Sequence, residues 1–397
     1  MMAAGRASER GARVLLLEKN NSLGLKILAT GNGRCNITNI SADDKRKISV
    51  YGANSKFLFS AFNKFGVDSA LKFFSGLGIA TKTEDHGRVF PRSDRASEVR
   101  EAFVKYLEKN KVEIKFGVKI KKIIKNNKNI EKIILADGEE ILAKNFVIAT
   151  GGKSYPATGS TGDGYEWLKN LDHTINIPRP ALTPIAVKEK YVKQLEGLSL
   201  ANIKITVYKN KKKIISRLGE IIFTADGVSG PAIIDLSGQI GACLPAPVML
   251  QIDFQPEIEK TKLEKKMQDD FHHSHNKMIK NYLLNLAPPK LAPIILKLAG
   301  IDELKLVNII TKEERQKLAW ALKEFTLEVK ALKGFNKAMI TAGGVDVKEV
   351  DPKTMRSRLY QNLFLAGEIL DLDGPTGGYN LQICWSTGYT AGDSINL

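Results

Sequence analysis

The sequence predicts an α/β fold in which short, buried parallel strands alternate with helices. A long inserted region, partly β-rich and partly helical, interrupts this alternation. Two observations predict this class. Apolar runs of strand length, such as 13–18 and 146–152, end in an acid or in glycines, which is typical of buried parallel strands. Glycine-rich stretches follow several such runs at distant places in the chain, and ligands bind at the carboxyl ends of strands in open α/β sheets.

Each element follows from a local pattern. Alanine-rich sequence that stops at Gly11, and apolar residues at helical spacing, predict helices at 1–11, 55–80, 94–110, 257–323 and 379–395. Apolar runs and alternation predict strands at 13–18, at three places within 112–150, across 190–255, and at 326–330 and 363–368.

Composition changes divide the chain into three parts. Residues 1–189 form the first part of one domain, and 336–397 return to it. Residues 190–335 form an inserted domain, with β-rich parts at 190–255 and 324–335 and a helical part at 256–323. Prolines between 178 and 184 mark the first boundary.

Overall composition excludes several classes of protein. With 397 residues, 43% hydrophobic and 26% charged, the chain is too apolar to be wholly disordered and long enough for a large core. No apolar run approaches the ~20 residues of a membrane span. The N-terminus lacks the pattern of a signal peptide, so we expect a cytoplasmic protein.

Cysteine and histidine patterns predict no metal site. Cys35, Cys243 and Cys384 are too few for a disulfide scaffold and show no C-x-x-C spacing. The histidines at 272, 273 and 275 favour a solvated helix end over a metal site, because no carboxylate or cysteine pattern completes the ligand set.

The formal net charge is +17, and its distribution decides how it is interpreted. Segment 105–132 holds ten lysines and three acids, and around 119–124 the lysines alternate with isoleucine as on the wet side of a sheet. Aromatic residues are not interleaved with these lysines, so stacking on single-stranded nucleic acid is not favoured. A lysine-rich solvated surface is the favoured interpretation, and nucleic-acid binding is the alternative.

The strand ending in Glu18 predicts one side of a nucleotide site. In a dinucleotide-binding βαβ unit the second strand ends in an acid that accepts hydrogen bonds from the adenosine ribose. Its G-x-G-x-x-G partner should lie about 20 residues upstream, but Met1 already lies inside the expected helix. We expect the first strand and that loop to be missing, leaving apolar surface uncovered. A late start or a truncated product is favoured over a relative that lost its cofactor.

Three further motifs predict a site for a flat, anionic ligand. The loop at 24–39 includes Asn32, Gly33, Arg34, Cys35 and Asn36, which combine close backbone approach with many donors. Strand ends carry the other two motifs. Their candidate residues are Thr150, Gly151, Gly152, Gly367, Glu368, Gly377, Gly378, Tyr379 and Asn380. The last four open a helix, where the dipole favours negative charge such as that of a reduced flavin.

Together these motifs resemble the BaiN/YhiN-like FAD-dependent oxidoreductases, also called the aminoacetone oxidase family. The matching stretches are 31–39, 149–164, 224–231, 341–345 and 366–382, in the family's order and over nearly the whole chain. The resemblance implies an FAD/NAD(P)-binding Rossmann-like domain of glutathione-reductase type, a β-rich insertion and a helical subdomain. The departure is the missing glycine-rich loop, which predicts impaired cofactor binding.

The resemblance also implies roles for residues. Glu18 would hold the adenosine ribose. Lys26 and residues 32–36 would line the flavin side of the pocket, with Cys35 as a pocket residue. Residues 150–152 would pass near the FAD, Gly367 and Glu368 would meet the ribityl-phosphate region, and 377–380 would place a helix end at the flavin ring.

The predicted function is hydride transfer through flavin N5 to or from a small organic substrate, with NAD(P)H as electron donor. Tyr155, Glu368 and Tyr379 are candidate acids. The family's proposed substrates include steroid-like enones and amines. Two alternatives stay open: a flavin-fold protein that binds or modifies RNA, which the net charge motivates, and a non-catalytic remnant.

Overall fold

The chain folds into two compact units in a computed structural model that describes residues 1–274 and 276–395. Unit 1 comprises 1–180 and 335–397, and unit 2 comprises 181–334. The division into folding domains after residues 189 and 335 stays a prediction.

The elements are numbered in chain order. The helices are α1 (Met2–Glu9), α2 (Leu25–Ala29), α3 (Leu58–Lys64), α4 (Val67–Gly76), α5 (Ala96–Lys109), α6 (Asp163–Asn170), α7 (Pro231–Cys243), α8 (Lys260–His273), α9 (Ile279–Leu283), α10 (Ala292–Ala299), α11 (Lys312–Lys323) and α12 (Tyr379–Asp393). The strands are β1 (Leu15–Leu17), β2 (Thr38–Asn39), β3 (Thr81–Glu84), β4 (Arg88–Pro91), β5 (Glu113–Lys115), β6 (Ile120–Asn126), β7 (Asn129–Leu135), β8 (Glu140–Leu142), β9 (Phe146–Ile148), β10 (Ile175–Ala181), β11 (Ile185–Val187), β12 (Ser199–Lys209), β13 (Lys212–Thr224), β14 (Gly227–Ser229), β15 (Val248–Asp253), β16 (Phe325–Leu332), β17 (Ile340–Val345) and β18 (Leu363–Leu365).

Unit 1 is built from small sheets rather than one continuous sheet. The pairs β1–β5 and β9–β18 are parallel, and β10 pairs with β17. Two three-stranded sheets, β3–β4–β2 and β6–β7–β8, are antiparallel. The pair β9–β18 is largely buried, as its sequences predict. The prediction of a buried strand is wrong for β1, where Leu15 is exposed and Leu16 and Leu17 are half-buried.

An aromatic core holds the helices of unit 1 together around α12. The Trp385 ring stacks on Phe103 of α5 with centroids 5.3 Å apart and meets Phe74 of α4 edge-on at 5.5 Å. All three side chains are buried. The Trp385 indole nitrogen donates to the Ile37 carbonyl at 2.8 Å, so the polar edge of the ring is satisfied. This packing fixes α12 against the loop that precedes β2.

Unit 2 contains a closed antiparallel barrel with strand order β11–β14–β13–β12–β15–β16. Along β15, Val248, Leu250 and Ile252 are fully buried while the alternate residues are partly exposed, which is the period-2 pattern of a strand with one face in a core. Closure leaves this sheet without a free outer strand. Helices α8 to α11 add to the same core.

Helix α7 lies within 190–255, where the sequence pattern predicts only strands. Pro231 occupies its first turn, where a missing N–H costs no hydrogen bond. Ile233, Ile234 and Ile240 are all buried, so the helix is apolar on most sides. Such a helix lacks the one-sided apolar stripe that distinguishes helices from buried strands, which explains the difference.

Two observations concern membranes and metals. No helix among the described residues is long and apolar enough to cross a membrane. The described part of the chain also contains no group of three or more His, Cys, Asp or Glu side chains placed to hold a metal ion. Of the three histidines near residue 273, His272 and His273 end α8, whereas His275 lies outside the described residues.

Candidate functional site

The candidate site lies where β9 and β18 end side by side. Their parallel register pairs Ile148 with Leu365, so the stretches that follow them, 149–154 and 366–369, leave the sheet at the same edge. Two of the glycine-rich motifs are thereby brought together from positions about 200 residues apart. The carboxyl edge of a parallel pair is the usual ligand position in this class of fold.

Glu368 is the centre of a polar network at this edge. Its carboxylate forms an ion pair with Lys26 of α2 and accepts hydrogen bonds from Ser154 Oγ and the Thr341 backbone N–H, both at 2.8 Å. The Lys26 ammonium also donates to Ser154 Oγ at 3.1 Å. The backbone carbonyl of Glu368 accepts from the Tyr165 hydroxyl at 3.2 Å. Only 13% of the Glu368 side chain is exposed, so its charge is largely screened by these donors rather than by water.

Thr341 and Gly152 complete the same network from the other side. The Thr341 hydroxyl accepts hydrogen bonds from the backbone N–H groups of Lys153, at 2.8 Å, and Ser154, at 3.1 Å. A Cβ at Gly152 would collide with the Thr341 side chain and lie 3.0 Å from a Glu368 carboxylate oxygen. Glycine is therefore required here by the close approach of the loop to the network.

The loop from Gly31 to Asn39 docks on the start of α12. Asn39 Nδ2 donates to the Gly377 carbonyl at 3.0 Å, and Thr38 Oγ1 lies 2.6 Å from Gln382 Oε1. Gly378 has φ 100°, and a Cβ there would collide with the Thr38 backbone and lie 2.9 Å from Asn36 Oδ1. The loop at 31–39 and the glycine-rich turn at 377–378 thus form one surface at the N-terminus of α12.

Other predicted residues hold the loops themselves. The Arg34 guanidinium pairs with Asp94, with Nε 2.8 Å from Oδ1, and with Glu84, and it lies 4.0 Å from the Phe90 ring centroid. Asn380 holds the turn before α12, accepting from the Gly374 N–H at 2.8 Å. Asn32 and Gly33 are exposed.

Cys35 lies in the hydrophobic core beside Ile37 and Phe74 and is fully buried. Burial raises the pKa of its thiol to about 12, so the thiol stays protonated at neutral pH. Among the predicted tyrosines, Tyr155 is half-buried, and its backbone N–H donates to the Phe335 carbonyl at 3.0 Å. The Tyr379 ring meets Tyr51 edge-on at 5.8 Å.

Glu18 and Thr150 lie on the wall of a cavity of about 1410 Å³ within unit 1. That exceeds the roughly 300–1,000 Å³ of most ligand pockets. The cavity runs along β1 and β9, and in the described part of the chain each of these strands is paired on one side only. Apolar walls and unpaired strand edges therefore face the same space.

The sequence did not single out Asp373, which lies between β18 and α12. Burial, together with the neighbouring Asp371 carboxylate, raises the pKa of Asp373 to about 6. Its carboxyl forms no hydrogen bond or ion pair with the described residues. Asp371, in contrast, accepts from Asn54 at 3.1 Å and Asn176 at 2.8 Å. The signal available in the sequence was an acidic residue within a glycine-rich motif.

Ser154 and Thr341 lie within the matching stretches 149–164 and 341–345, but sequence spacing does not show that they contact Glu368. Ten of the predicted residues fall into three groups. Lys26 and Glu368 belong to the polar network and Gly151, Gly152 and Gly367 adjoin it, while Asn36, Gly377 and Gly378 meet at α12. The third group, Glu18 and Thr150, lines the cavity.

Comparison with known proteins identifies the relatives of this chain. The model of the HI0933-like protein Rossmann domain matches residues 1–394. A 3-dehydro-bile acid delta(4,6)-reductase of Clostridium scindens is 34% identical over 98% of this chain and 94% of its own length. A ribosomal RNA dihydrouridine synthase of Haemophilus influenzae is 27% identical over 100% of this chain and 96% of its own.

Among solved structures, a 3-ketosteroid-delta4-(5alpha)-dehydrogenase from Rhodococcus jostii matches 99% of this chain and 93% of its own with a TM-score of 0.51. At 14% identity this likeness concerns the fold alone. The comparisons confirm the resemblance stated from the motifs and the Rossmann-like α/β fold class.

Proposed function

The chain belongs to the HI0933-like Rossmann family of flavin-dependent oxidoreductases, and from that premise we propose that it reduces a carbon–carbon double bond conjugated to a carbonyl group. The observation that carries this proposal is the 34% identity to a reductase over 98% of the chain. The Haemophilus influenzae relative is named for making dihydrouridine, a product in which a conjugated double bond is saturated. The chemistry shared by both names is therefore the addition of two hydrogens to an electron-poor double bond.

FAD is the proposed cofactor, and the residues at the cavity fit its adenosine end. One carboxylate oxygen of Glu18, Oε1, accepts from the backbone and side-chain nitrogens of Asn20 at 2.8 and 2.9 Å. The other oxygen forms no hydrogen bond with the described residues and is available to a ribose hydroxyl. Thr150 lies on the same cavity wall. This oriented, half-satisfied carboxylate is the acceptor that a dinucleotide needs.

When bound, FAD supplies the hydride chemistry, and the chain's residues bind and orient the reactants. We propose that the Glu368 network holds the loops after β9 and β18 in one conformation. Their backbone groups would then contact the bound cofactor in a fixed geometry. Since Glu368 already accepts from three donors, it acts as a positioning residue rather than as an acid. The N-terminus of α12 at Gly378 favours the negative charge of a reduced flavin ring.

Reduction of a conjugated double bond needs a hydride at one carbon and a proton at the other. NAD(P)H is the proposed source of the hydride. Asp373, Tyr155 and Tyr379 are the candidate proton donors. The pKa of Asp373, raised to about 6 chiefly by burial, lies near neutral pH, where a general acid works best.

The first candidate substrate is a small enone, and the second is a uracil base in RNA. Two observations favour the second: the name of the Haemophilus influenzae relative, and the net charge of +17. The C5–C6 double bond of uracil is conjugated to a carbonyl, so one reaction type serves both substrates.

An anaerobic turnover experiment tests the proposal. The chain is supplied with FAD and either NADH or NADPH, then with 2-cyclohexen-1-one or with unmodified ribosomal RNA transcribed in vitro. We expect loss of the enone absorption, or a mass gain of two hydrogens per modified base in the RNA. A flavin that is reduced by neither nicotinamide, or that reduces neither acceptor, would contradict the proposal.

Substitution of Glu18 tests the cofactor assignment separately. Glu18→Gln should weaken FAD binding about tenfold, because the ribose loses a charged acceptor. Glu101→Gln, at an exposed position of α5, is the matched control and should leave FAD affinity unchanged. Equal affinities for all three proteins would remove Glu18 from the cofactor site.

A further inference from the structure

Strands β12 and β13 form a hairpin, here called the ribbon, in the barrel of unit 2, and β12 also pairs with β15 as far as Lys209. Strands β12 and β13 pair over most of their length, from Ser199–Ile222 to Lys209–Lys212. On its other side β13 pairs with β14 only at 222–224, so the part of β13 nearest the turn is hydrogen-bonded to β12 alone. The tip of the ribbon is therefore reached by solvent along one strand edge.

Four of the five residues at this tip are lysines: Lys209, Lys211, Lys212 and Lys213. None of the four ammonium groups forms an ion pair or hydrogen bond with the described residues. On the sheet of unit 1, Lys125 pairs with Asp172 and Lys132 with Glu140, whereas Lys121 and Lys122 also have no ion pair with the described residues. Unpaired lysines at the end of a ribbon concentrate positive charge where a polyanion can reach it.

Lys211 occupies a backbone position that glycine usually takes. Asn210 has φ 48° and Lys211 has φ 65°, so both central residues of this two-residue hairpin turn are left-handed. Asn-Gly is the preferred pair in such turns, because a side chain at the second position strains the backbone. A charged residue that breaks a local rule of this kind is a candidate for function.

Tyr208 adds an aromatic ring to the same tip. It pairs across the ribbon with Lys213, so both side chains lie on one face. On the opposite face Val207 and Ile205 are fully buried in the barrel, which places Tyr208 on the outer side. Its side chain is half-buried. By the same alternation, Lys209 and its partner Lys212 lie on the other face. The ring and Lys213 thus offer stacking and charge on one side of the tip, a combination that the sequence pattern around 119–124 lacks.

We propose that this basic tip, defined as Lys209, Lys211, Lys212 and Lys213 with Tyr208, binds the phosphate backbone of RNA. Charge complementarity identifies a polyanion, and the choice of RNA rests on the second candidate substrate named above. Lysine contacts to phosphate carry no sequence information, so the tip holds and orients RNA rather than reading bases.

The alternative role for these lysines is protection of an exposed strand edge from pairing with another chain. That role predicts aggregation when the charge is removed and no effect on RNA affinity. The two roles are therefore distinguished by one set of variants.

The test compares two quadruple variants with the same net charge. The tip variant replaces the four tip lysines by glutamine. The control variant replaces Lys265, Lys266, Lys297 and Lys317 by glutamine, which are exposed helical lysines of unit 2 without ion pairs to described residues. Fluorescence anisotropy with a labelled 20-nucleotide poly(U) RNA measures the affinity at KCl concentrations between roughly 50 and 200 mM. Over this range the affinity of a protein that contacts phosphates falls steeply with salt.

We expect the tip variant to lose at least about tenfold in affinity at 100 mM KCl, and its log–log salt slope to fall by about 3, since four phosphate contacts are removed. The control variant should stay within about twofold of the unmodified chain. Tyr208→Leu should lose about fivefold or more, because one stacked base is released.

Three results would overturn the proposal: no RNA binding by the unmodified chain, equal losses in the tip and control variants, or aggregation of the tip variant with unchanged RNA affinity. Tip-dependent binding to vesicles of phosphatidylserine and phosphatidylcholine, without tip-dependent RNA binding, would assign the tip to membranes instead. Reduction of 2-cyclohexen-1-one is measured on the same preparations. Its persistence in the tip variant separates failure of this inference from failure of the proposed reaction.

Discussion

The two compact units close their sheets in opposite ways. In unit 2 six strands form a closed barrel, and every strand of it has two neighbours. In unit 1, β1 and β9 each have one neighbour among the described residues, and their other edges face a cavity of about 1410 Å³. A closed barrel satisfies its own backbone, whereas open edges leave donors, acceptors and apolar surface for another group. In unit 1, therefore, the unpaired edges of β1 and β9 and the apolar walls of the cavity are the surfaces available to bind a ligand.

The two units also differ in whether their lysine side chains have partners at the two places compared here. At the carboxyl ends of β9 and β18, Lys26 is held in a network with Glu368 and Ser154. At the tip of the β12–β13 ribbon, the lysines have no partners among the described residues. A buried charge must be paired to be tolerated, while an exposed one is stable without a partner. The first arrangement suits positioning of a cofactor, and the second suits attraction of a polyanion.

The largest expected effect comes from breaking the network in unit 1. Glu368→Ala should lower the free energy of unfolding by about 2–4 kcal/mol, because Lys26 and the Thr341 N–H lose their acceptor at a largely buried position. Chemical denaturation measures this loss. Glu368→Gln keeps an acceptor oxygen and should cost less. Equal stability of the alanine variant and the unmodified chain would show that the network does not hold the loops.

A core truncation in unit 2 provides the contrast. Leu250 is fully buried in the barrel, so Leu250→Ala should cost about 3 kcal/mol through lost burial and a residual cavity. FAD affinity should stay within twofold, whereas Glu368→Ala should weaken it. Denaturation and FAD titration on the same two variants check the prediction. A loss of FAD affinity in Leu250→Ala would contradict the separation between the barrel and the cofactor site.

The pH dependence of stability tests the environment of Asp373. Because its pKa is raised from 3.8 to about 6, the folded chain binds this proton more tightly than the unfolded chain does. The contribution to stability is therefore complete below about pH 4 and declines as the pH rises through 6. Asp373→Asn should be more stable than the unmodified chain by about 1–2 kcal/mol at pH 8, and equally stable at pH 3.5.

Thermal unfolding of Asp373→Asn at the two pH values gives this difference. Asp269→Asn, at an exposed position of α8, is the matched control and should show no pH-dependent gain. A pH-independent effect in the Asp373 variant would mean that its carboxyl is not buried as described.

The smallest expected effect concerns the turn of the ribbon. Lys211→Gly should raise stability by about 0.5–1 kcal/mol, because glycine adopts a positive φ without strain. RNA affinity should fall at the same time. Lys212→Gly removes the same charge from an extended strand position, so it should lower stability. If both variants shift stability in the same direction, the turn does not strain Lys211.

The sequence predicted the parts of the fold that depend on local patterns. The apolar run at 13–18 contains β1, and the helix predicted at 379–395 contains α12. Strands β2 and β4 escaped prediction because they are only two and four residues long, and they pair with each other from distant parts of the sequence. Helix α7 escaped because burial on most sides hides helical periodicity.

The candidate site shows the same limit. The glycine pairs at 151–152 and 377–378 could be identified from sequence because glycine is typical of positions with a positive φ or a close backbone approach. The network around Glu368 was not, since Ser154 and Thr341 reach it only through the tertiary fold. The basic tip was also missed, because the cross-strand pairing of Tyr208 with Lys213 depends on a register that includes a bulge.

The most direct test of the central claim is the stoichiometry of FAD on the purified 397-residue chain, measured by equilibrium titration of flavin fluorescence and absorption. The account predicts saturable binding of one FAD per chain, with weaker binding in Glu18→Gln and Glu368→Ala and unchanged binding in Leu250→Ala. Absence of saturable binding at millimolar FAD, or binding that none of these variants affects, would contradict it.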